Sequence, residues 1–137
     1  MLSSIDSSFR LLAMAPPATQ EQIDAAARHF GSLPQDFVDL AREATEVEIQ
    51  HQHGQYVRIW GPLGCVEMDE GYGIRQRIRD AIPIGDDGGG NVLFYANGNR
   101  GDGVYRVGYG NLDIGDATWI AASLVELLTK ADGIEAF

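Results

Sequence analysis

The sequence predicts an α+β fold with two N-terminal helices, a largely antiparallel central sheet of about five or six strands, and a C-terminal helix packed on the sheet. Three observations lead to this prediction. Apolar residues recur at helical spacing in the first third of the chain, the period shortens to that of strands from Gln55 onward, and helical spacing returns after Asp116. That order of elements favours an antiparallel sheet.

The length and composition of the chain predict one globular domain spanning residues 1–137, with a core of roughly residues 16–131. The chain has 137 residues, of which 45% are hydrophobic and 22% are charged. Both fractions are ordinary for a globular protein. No internal repeat or linker divides the chain, so we expect a single hydrophobic core.

The first helix is predicted after Pro16 and Pro17, which block regular structure. Thr19 can cap this helix, and Gln22 completes a capping box three residues later. Gly31 ends it. The apolar stripe consists of Ile23, Ala26, Ala27 and Phe30.

The second helix follows almost at once, with Pro34 in its first turn, where a missing backbone N–H costs little. The predicted buried stripe consists of Phe37, Leu40, Ala41 and Ala44. The residues predicted to face outward are Asp36, Asp39 and Glu43. Two short helices cannot bury both stripes alone, so they require a sheet or a third helix.

The middle of the chain has the shorter period of strands. Strands are predicted at residues 56–60, 65–68, 82–85, 92–96 and 104–109. Residues 72–80 fit either a helix or a strand. Ile74 and Ile78 have helical spacing, whereas Arg75, Arg77 and Arg79 alternate as on a strand. A turn-rich segment at residues 97–103 separates the last two strands.

The chain closes on a predicted helix, with Asp116 as its cap and Gly133 as its stop. The buried face of this helix consists of Ile120, Leu124, Leu127 and Leu128. An apolar face of this kind can cover the sheet.

The chain is strongly acidic. Twenty Asp and Glu residues stand against ten Lys and Arg residues, which gives a formal net charge of -10. A negative field repels phosphate backbones, so direct binding of nucleic acid is not expected. The same field speeds the approach of a basic protein partner. Alternatively, the negative charge serves solubility alone, and the sequence leaves both interpretations open.

The loop from Asp86 to Asn91 is the most distinctive segment. A phosphate-binding loop ends in Gly-Lys-Ser/Thr, whereas this loop holds two aspartates and no lysine. Asp86 and Asp87 offer oxygen ligands for calcium, but the alternation and closing glutamate of an EF-hand are missing. A tight connection between strands, with glycines at positive φ, is favoured. A regulatory site for a metal or a small molecule in this loop is the alternative.

No catalytic, cofactor-binding or metal-ligating residue is assigned, and no cofactor is expected. His51 and His53 could share a metal on one strand face, but no third ligand is evident, and a polar loop is favoured. Cys65 is the single cysteine, so it cannot form a disulfide within the chain. No signal peptide or membrane-spanning run is found, which predicts a cytoplasmic protein without a membrane partner.

Three separated parts of the sequence, the first made of two segments, carry a resemblance to a known family. Residues 16–23 read Pro-Pro-Ala-Thr-Gln-Glu-Gln-Ile, and residues 30–37 read Phe-Gly-Ser-Leu-Pro-Gln-Asp-Phe. Residues 82–91 read Ile-Pro-Ile-Gly-Asp-Asp-Gly-Gly-Gly-Asn, and residues 120–124 read Ile-Ala-Ala-Ser-Leu. Together they resemble the Smi/Knr-type group of the SUKH superfamily over roughly residues 16–128.

The resemblance implies a mixed α/β domain without catalytic residues. Bacterial members of the group are immunity proteins of polymorphic toxin systems, which neutralise a toxin by binding it, and fungal relatives act in cell-wall assembly through protein contacts. The chain is therefore predicted to be a non-catalytic protein-binding domain whose partner is a basic toxin domain, such as a nuclease. The predicted acidic contact residues, chosen because they flank predicted strands, are Glu67, Asp69, Glu70, Asp86 and Asp87.

Overall fold

The computed structural model describes residues 1–137 and confirms the α+β prediction, with helices at both ends of the chain and one antiparallel sheet of seven strands rather than five or six. The helices are α1 (Gln20–Phe30), α2 (Gln35–Ala41), α3 (Pro62–Tyr72), α4 (Ile74–Arg77) and α5 (Leu124–Lys130). The strands are β1 (Phe9–Ala15), β2 (Thr45–His51), β3 (Tyr56–Ile59), β4 (Ile82–Asp86), β5 (Asn91–Gly98), β6 (Gly101–Gly108) and β7 (Thr118–Ala121).

The sheet is an antiparallel meander, in which the spatial order of the strands follows their order in the chain from β1 to β7. β1 and β7 are therefore its two edges. β5 and β6 pair along their whole length, and only Asn99 and Arg100 connect them. The turn predicted at residues 97–103 is thus shorter than expected. Connections this short join antiparallel neighbours.

Strand register places two sets of side chains on opposite faces of the sheet. Arg58 pairs with Asp86, and Asp86 pairs with Val92, so these three share one face. Ile59 pairs with Gly85 on the other face. The two residue pairs that join β3 and β4 therefore lie next to each other along the strands and direct their side chains to opposite faces of the sheet.

The N-terminal signals of α1 are confirmed. Thr19 Oγ1 accepts a hydrogen bond from the backbone N–H of Gln22 at 3.2 Å, and Gln22 Oε1 accepts one from the N–H of Thr19 at 3.0 Å. This is the reciprocal capping box that the spacing predicts. Gly31, with a φ of 88°, ends the helix.

The prediction that Asp36 of α2 faces outward is wrong, because its side chain is half-buried. Its Oδ2 accepts a hydrogen bond from the hydroxyl of Tyr95 at 2.6 Å and another from the backbone N–H of Val125 at 3.1 Å. The same Tyr95 hydroxyl accepts the N–H of Leu124 at 2.7 Å. Asp36 therefore joins α2, β5 and α5, and it accepts one of the backbone N–H groups that the first turn of a helix leaves without a partner inside the helix.

Residues 65–68, predicted as a strand, lie within α3, so that prediction is wrong. The helix begins at Pro62, where the missing backbone N–H is harmless. Its apolar residues do not form one stripe, so the periodicity that marks an amphipathic helix is lacking. Cys65 is fully buried, and burial raises the pKa of its thiol well above the ordinary value.

The cap and the stop predicted for the last helix, Asp116 and Gly133, are both wrong. Ser123 caps α5, because its Oγ accepts the backbone N–H three residues later at 3.2 Å. The helix ends at Lys130, and Ala131, whose φ is 56°, follows it. The residues before the helix form β7, so Ile120 is buried from a strand.

Three strands, β1, β2 and β7, lie where none was predicted. β2 alternates in burial, with Val47, Ile49 and His51 buried. β1 pairs with β2 through two register shifts, and most of its side chains are exposed, so it lacks the alternation that predicts a strand. Within residues 72–80, α4 forms one short helix, which answers the question left open by the sequence.

Candidate protein-binding surface

Asp86 lies at the end of β4 and accepts hydrogen bonds from three donors. Its Oδ2 accepts from Trp60 Nε1 at 2.8 Å and from Arg58 Nε at 3.2 Å. Its Oδ1 accepts from the backbone N–H of Gly88 at 2.9 Å. Asp86 is buried, so this predicted contact residue ties the end of β4 to β3.

Asp87 is the second carboxylate of the loop. It accepts hydrogen bonds from Arg106 Nη1 at 3.1 Å, from Asn91 Nδ2 at 2.8 Å, and from the backbone N–H of Gly89 at 2.9 Å. Partial burial acts to raise the pKa of Asp87, but these donors outweigh it and hold that pKa below its ordinary value. The side chain of Asp87 therefore ties the loop to Arg106 of β6 through an ion pair.

The depressed pKa of Asp87 predicts a pH dependence. A carboxyl group whose pKa is lower in the folded protein stabilises the fold above its unfolded pKa of about 3.9 and loses that effect as the pH falls below it. We expect Asp87→Asn to be less stable than the natural protein at pH 7, with the difference shrinking below about pH 4. Urea denaturation at pH 7 and at pH 3 measures both. A difference that stays constant between these pH values would contradict the assignment.

The glycines of the loop have the conformations that a tight strand connection requires. Gly88 and Gly90 have φ values of 71° and 91°. A Cβ atom on Gly88 would lie 2.8 Å from the ring of Tyr56. The Tyr56 hydroxyl donates to Glu48 at 2.5 Å, and burial together with this hydrogen bond raises the pKa of Tyr56 to about 12. The interpretation as a strand connection is confirmed.

Asp69 joins the end of α3 to α1. Its Oδ2 lies 2.7 Å from Nε2 of His29, and its Oδ1 accepts the backbone N–H of Arg75 at 2.9 Å. The guanidinium of Arg75 donates to the carbonyl oxygen of His29 at 3.2 Å and lies 5.4 Å from the centre of the Phe30 ring. Asp69 is buried in this cluster.

Glu67 and Glu70 lie one turn apart on α3, and both are exposed. The one basic side chain within 4.0 Å of either carboxylate is His29, whose Nδ1 lies 3.9 Å from Glu70 Oε1. α3 contains no Lys or Arg. Of the five predicted contact residues, these two present their carboxylates to solvent.

Tyr72, the last residue of α3, is 51% exposed. Its ring lies 4.4 Å from the ring of Tyr109, centre to centre. The backbone N–H of Tyr109 donates to the carbonyl oxygen of Gly90 at 3.0 Å, and burial together with the charge of Asp86 raises the pKa of the Tyr109 hydroxyl. The tyrosine pair therefore brings the end of α3 beside the glycine loop.

We call the exposed residues Glu67, Glu70 and Tyr72 of α3, together with Tyr109, the Tyr72 surface. Glu67 and Glu70 lie one turn apart, whereas Tyr72, two positions after Glu70, projects from another side of the helix end. The Tyr72 surface combines free carboxylates with an exposed aromatic ring, and aromatic residues dominate the energetics of protein interfaces. The two tyrosines were missed in the sequence. Tyr109 was predicted as the last residue of the strand at residues 104–109, and Tyr72 as the first of the segment that fits a helix or a strand, so neither was marked as a contact residue.

A model of the SMI1 / KNR4 family (SUKH-1) matches residues 17–130, from just before α1 to the end of α5. The chain belongs to the SMI1 / KNR4 family. The resemblance carried by the three ordered motifs is thereby confirmed. No curated protein matches this chain.

The motifs of this SMI1 / KNR4 family member can now be placed in the structure. The segment Leu-Pro-Gln-Asp-Phe opens α2 and supplies Asp36, the residue that joins α2, β5 and α5. The glycine-rich motif forms the end of β4 and the connection to β5. The last motif spans β7 and the start of α5.

His51 and His53 of this family member lie at the end of β2 and just after it. His51 is buried at the end of β2, and its ring lies 5.1 Å from that of His53, centre to centre. His51 Nδ1 accepts the backbone N–H of His53 at 3.2 Å. No group of three or more His, Cys, Asp and Glu side chains is placed to hold a metal ion. None of the helices combines the length and hydropathy needed to cross a membrane.

Proposed function

We propose that this chain is a non-catalytic, cytoplasmic protein-binding domain of immunity type, which neutralises a cognate bacterial toxin by binding it directly. Membership of the SMI1 / KNR4 family supports binding of a protein, and the net charge of -10 supports a basic partner, such as a nuclease domain. The observation that carries the proposal is the exposure of α3 on the Tyr72 surface, with the free carboxylates of Glu67 and Glu70 along the helix and the exposed ring of Tyr72 at its end.

The position of Glu70 favours binding over stability as its role. Glu70 lies in the last turn of α3, where the unpaired carbonyls form the negative end of the helix dipole. Glu67 adds a like charge three residues earlier. Both effects disfavour the folded helix, whereas a basic partner would neutralise them. Residues that serve a function at the expense of stability are common in binding sites.

The other three predicted contact residues act by positioning. Asp69 fixes the end of α3 against α1, while Asp86 and Asp87 hold the glycine loop beside Tyr109. A rigid surface loses little conformational freedom on binding, so more of the contact energy remains as affinity. In this proposal Glu67 and Glu70 contact the toxin, and the aspartates support the surface.

The direct test uses the gene neighbourhood. The probe is the C-terminal domain of a large secreted protein encoded beside this gene, co-expressed with the tagged chain. We expect the two proteins to co-purify and the chain to restore growth of cells that express the toxin domain. Absence of both a complex and a rescue would contradict the proposal for that pair.

Neutralising two carboxylates gives a sharper prediction. In Glu67→Gln/Glu70→Gln, we expect the association rate with the toxin domain to fall about tenfold at low salt, because electrostatic steering is weakened. The free energy of unfolding should stay the same or rise, because the substitutions remove negative charge from the negative end of the α3 dipole. Stopped-flow binding and urea denaturation measure these two effects.

The matched control is Asp39→Asn/Asp132→Asn, which removes the same charge from two exposed residues on α2 and after α5. The association rate of this variant should fall much less. Equal losses in the two double variants would mean that net charge alone governs binding and that the Tyr72 surface has no special part.

A further inference from the structure

The two edges of the sheet differ in length and in cover. β7 has four residues, and the turn at Ile134–Ala136 packs against it. A Cβ atom on Gly133 would lie 2.1 Å from the carbonyl oxygen of Ile120, which shows how closely the C-terminal segment approaches this edge. β1 has seven residues and pairs with β2 alone. Its outer side has no strand neighbour.

The exposed edge of β1 is apolar. Leu11, Leu12 and Met14 are 40%, 43% and 58% exposed, and the strand contains no proline. Natural proteins protect edge strands with charge, proline, β-bulges or a covering segment, because an unpaired edge is a template for another strand. β1 shows two register shifts toward β2, but it carries a single charge, that of Arg10.

The charge carried by β1 itself indicates which partner this edge fits. Between Asp6 and Glu21 the chain has no acidic residue, although it has twenty in total. A basic toxin domain would therefore meet no carboxylate on β1. A second copy of this chain, which is repelled from the acidic surfaces elsewhere, meets no negative charge on this strand.

We propose that β1 pairs antiparallel with β1 of a second copy, which makes a two-fold symmetric dimer with one sheet continuous through both chains. Antiparallel pairing of a strand with itself is self-complementary, as a two-fold interface requires. A two-fold axis through Leu12 places Arg10 opposite Met14 of the second copy, so the two arginines do not face each other. The pairing also covers Leu11 and Leu12 of both chains.

The dimer is independent of the proposed toxin binding. β1 is the first strand of the sheet, whereas Tyr72 contacts Tyr109 directly after β6. β1 also precedes residues 17–130, the part of the chain that the family model matches. Pairing through β1 therefore leaves the Tyr72 surface of each chain free, and the dimer would present two such surfaces.

Sedimentation equilibrium from about 1 μM to about 1 mM tests the dimer, since a single strand pairing belongs to the small, weak class of interfaces. We expect the mass to rise with concentration toward twice the 14.9 kDa of one chain. Leu12→Lys/Met14→Lys should weaken dimerisation at least 100-fold, because edge lysines oppose strand pairing. Val125→Lys, which alters an exposed apolar residue on α5, should dimerise like the natural chain.

Amide hydrogen exchange supplies a second measurement. In the natural chain, exchange at β1 should slow as the concentration rises, and in the double lysine variant it should stay fast. A mass of one chain at every concentration, or a dimer that persists in the lysine variant, would overturn the proposal. Protection of β1 that appears with the toxin domain alone would also overturn it. Tyr72→Ala should dimerise normally, so failure of toxin binding and failure of dimerisation are distinguishable.

Discussion

Gly85→Ala is expected to lower the free energy of unfolding by about 3 kcal/mol or more, the upper range for forcing atoms into a packed core. A Cβ atom at this position would lie 2.1 Å from the carbonyl oxygen of Arg58. That oxygen belongs to the backbone of β3 and cannot move without the strand. β3 and β4 join through two residue pairs, Arg58 with Asp86 and Ile59 with Gly85. A shift at Gly85 therefore disturbs the whole junction.

Gly71→Ala is the matched control. Gly71 lies within α3, and a Cβ atom there meets nothing within 4 Å. Alanine is favoured over glycine inside helices by about 0.5–1 kcal/mol, so this variant should be as stable as the natural protein or more stable. Chemical denaturation of the two variants measures the contrast. Equal unfolding midpoints for both variants would show that the β3–β4 junction tolerates displacement.

Tyr72→Ala is expected to weaken binding of the toxin domain about 30-fold or more, which corresponds to about 2 kcal/mol. Tyr72 supplies the exposed aromatic ring of the Tyr72 surface, and exposed tyrosines that become buried on binding are typical hot spots. Loss of the ring also removes its contact with Tyr109, which contributes about 0.5–1.5 kcal/mol in typical aromatic pairs. A modest loss of stability is therefore expected as well.

Tyr72→Phe separates these two effects. Phenylalanine keeps the ring and its contact with Tyr109, and the Tyr72 hydroxyl makes no hydrogen bond within the chain. We expect this variant to keep its stability and most of its affinity, measured by calorimetric titration with the co-expressed toxin domain. If Tyr72→Ala binds as tightly as the natural protein, the contact surface lies elsewhere on the chain.

Local signals predicted some elements accurately. The capping box of α1 needs Thr19 and Gln22, three residues apart, and both partners lie in the same turn. The central strands β4, β5 and β6 were predicted because buried strands consist of continuous or alternating apolar residues. In each case the residues that decide the structure are neighbours in the sequence.

Elements whose stability comes from distant contacts were missed. β1 has mostly exposed side chains and exists because it pairs with β2, some forty residues later. α3 has no apolar stripe, and it is held by contacts such as those of Asp69 with α1. β7 and α5 were merged into one predicted helix, since both are apolar and the cap at Ser123 was overlooked. Tertiary packing overrides weak local preference in all three.

The sequence by itself determined the acidic charge, the α+β class and the ordered motifs that identify the SMI1 / KNR4 family. It could not tell which carboxylates are free. Asp69 and Asp86 look as available in the sequence as Glu70, yet their partners His29 and Arg58 come from segments 40 and 28 residues away. A carboxylate becomes structural or available for binding according to the donors that the fold brings within about 3 Å of it, because hydrogen bonds act only over that range. Sheet register and helix packing therefore determine which carboxylates remain available for binding.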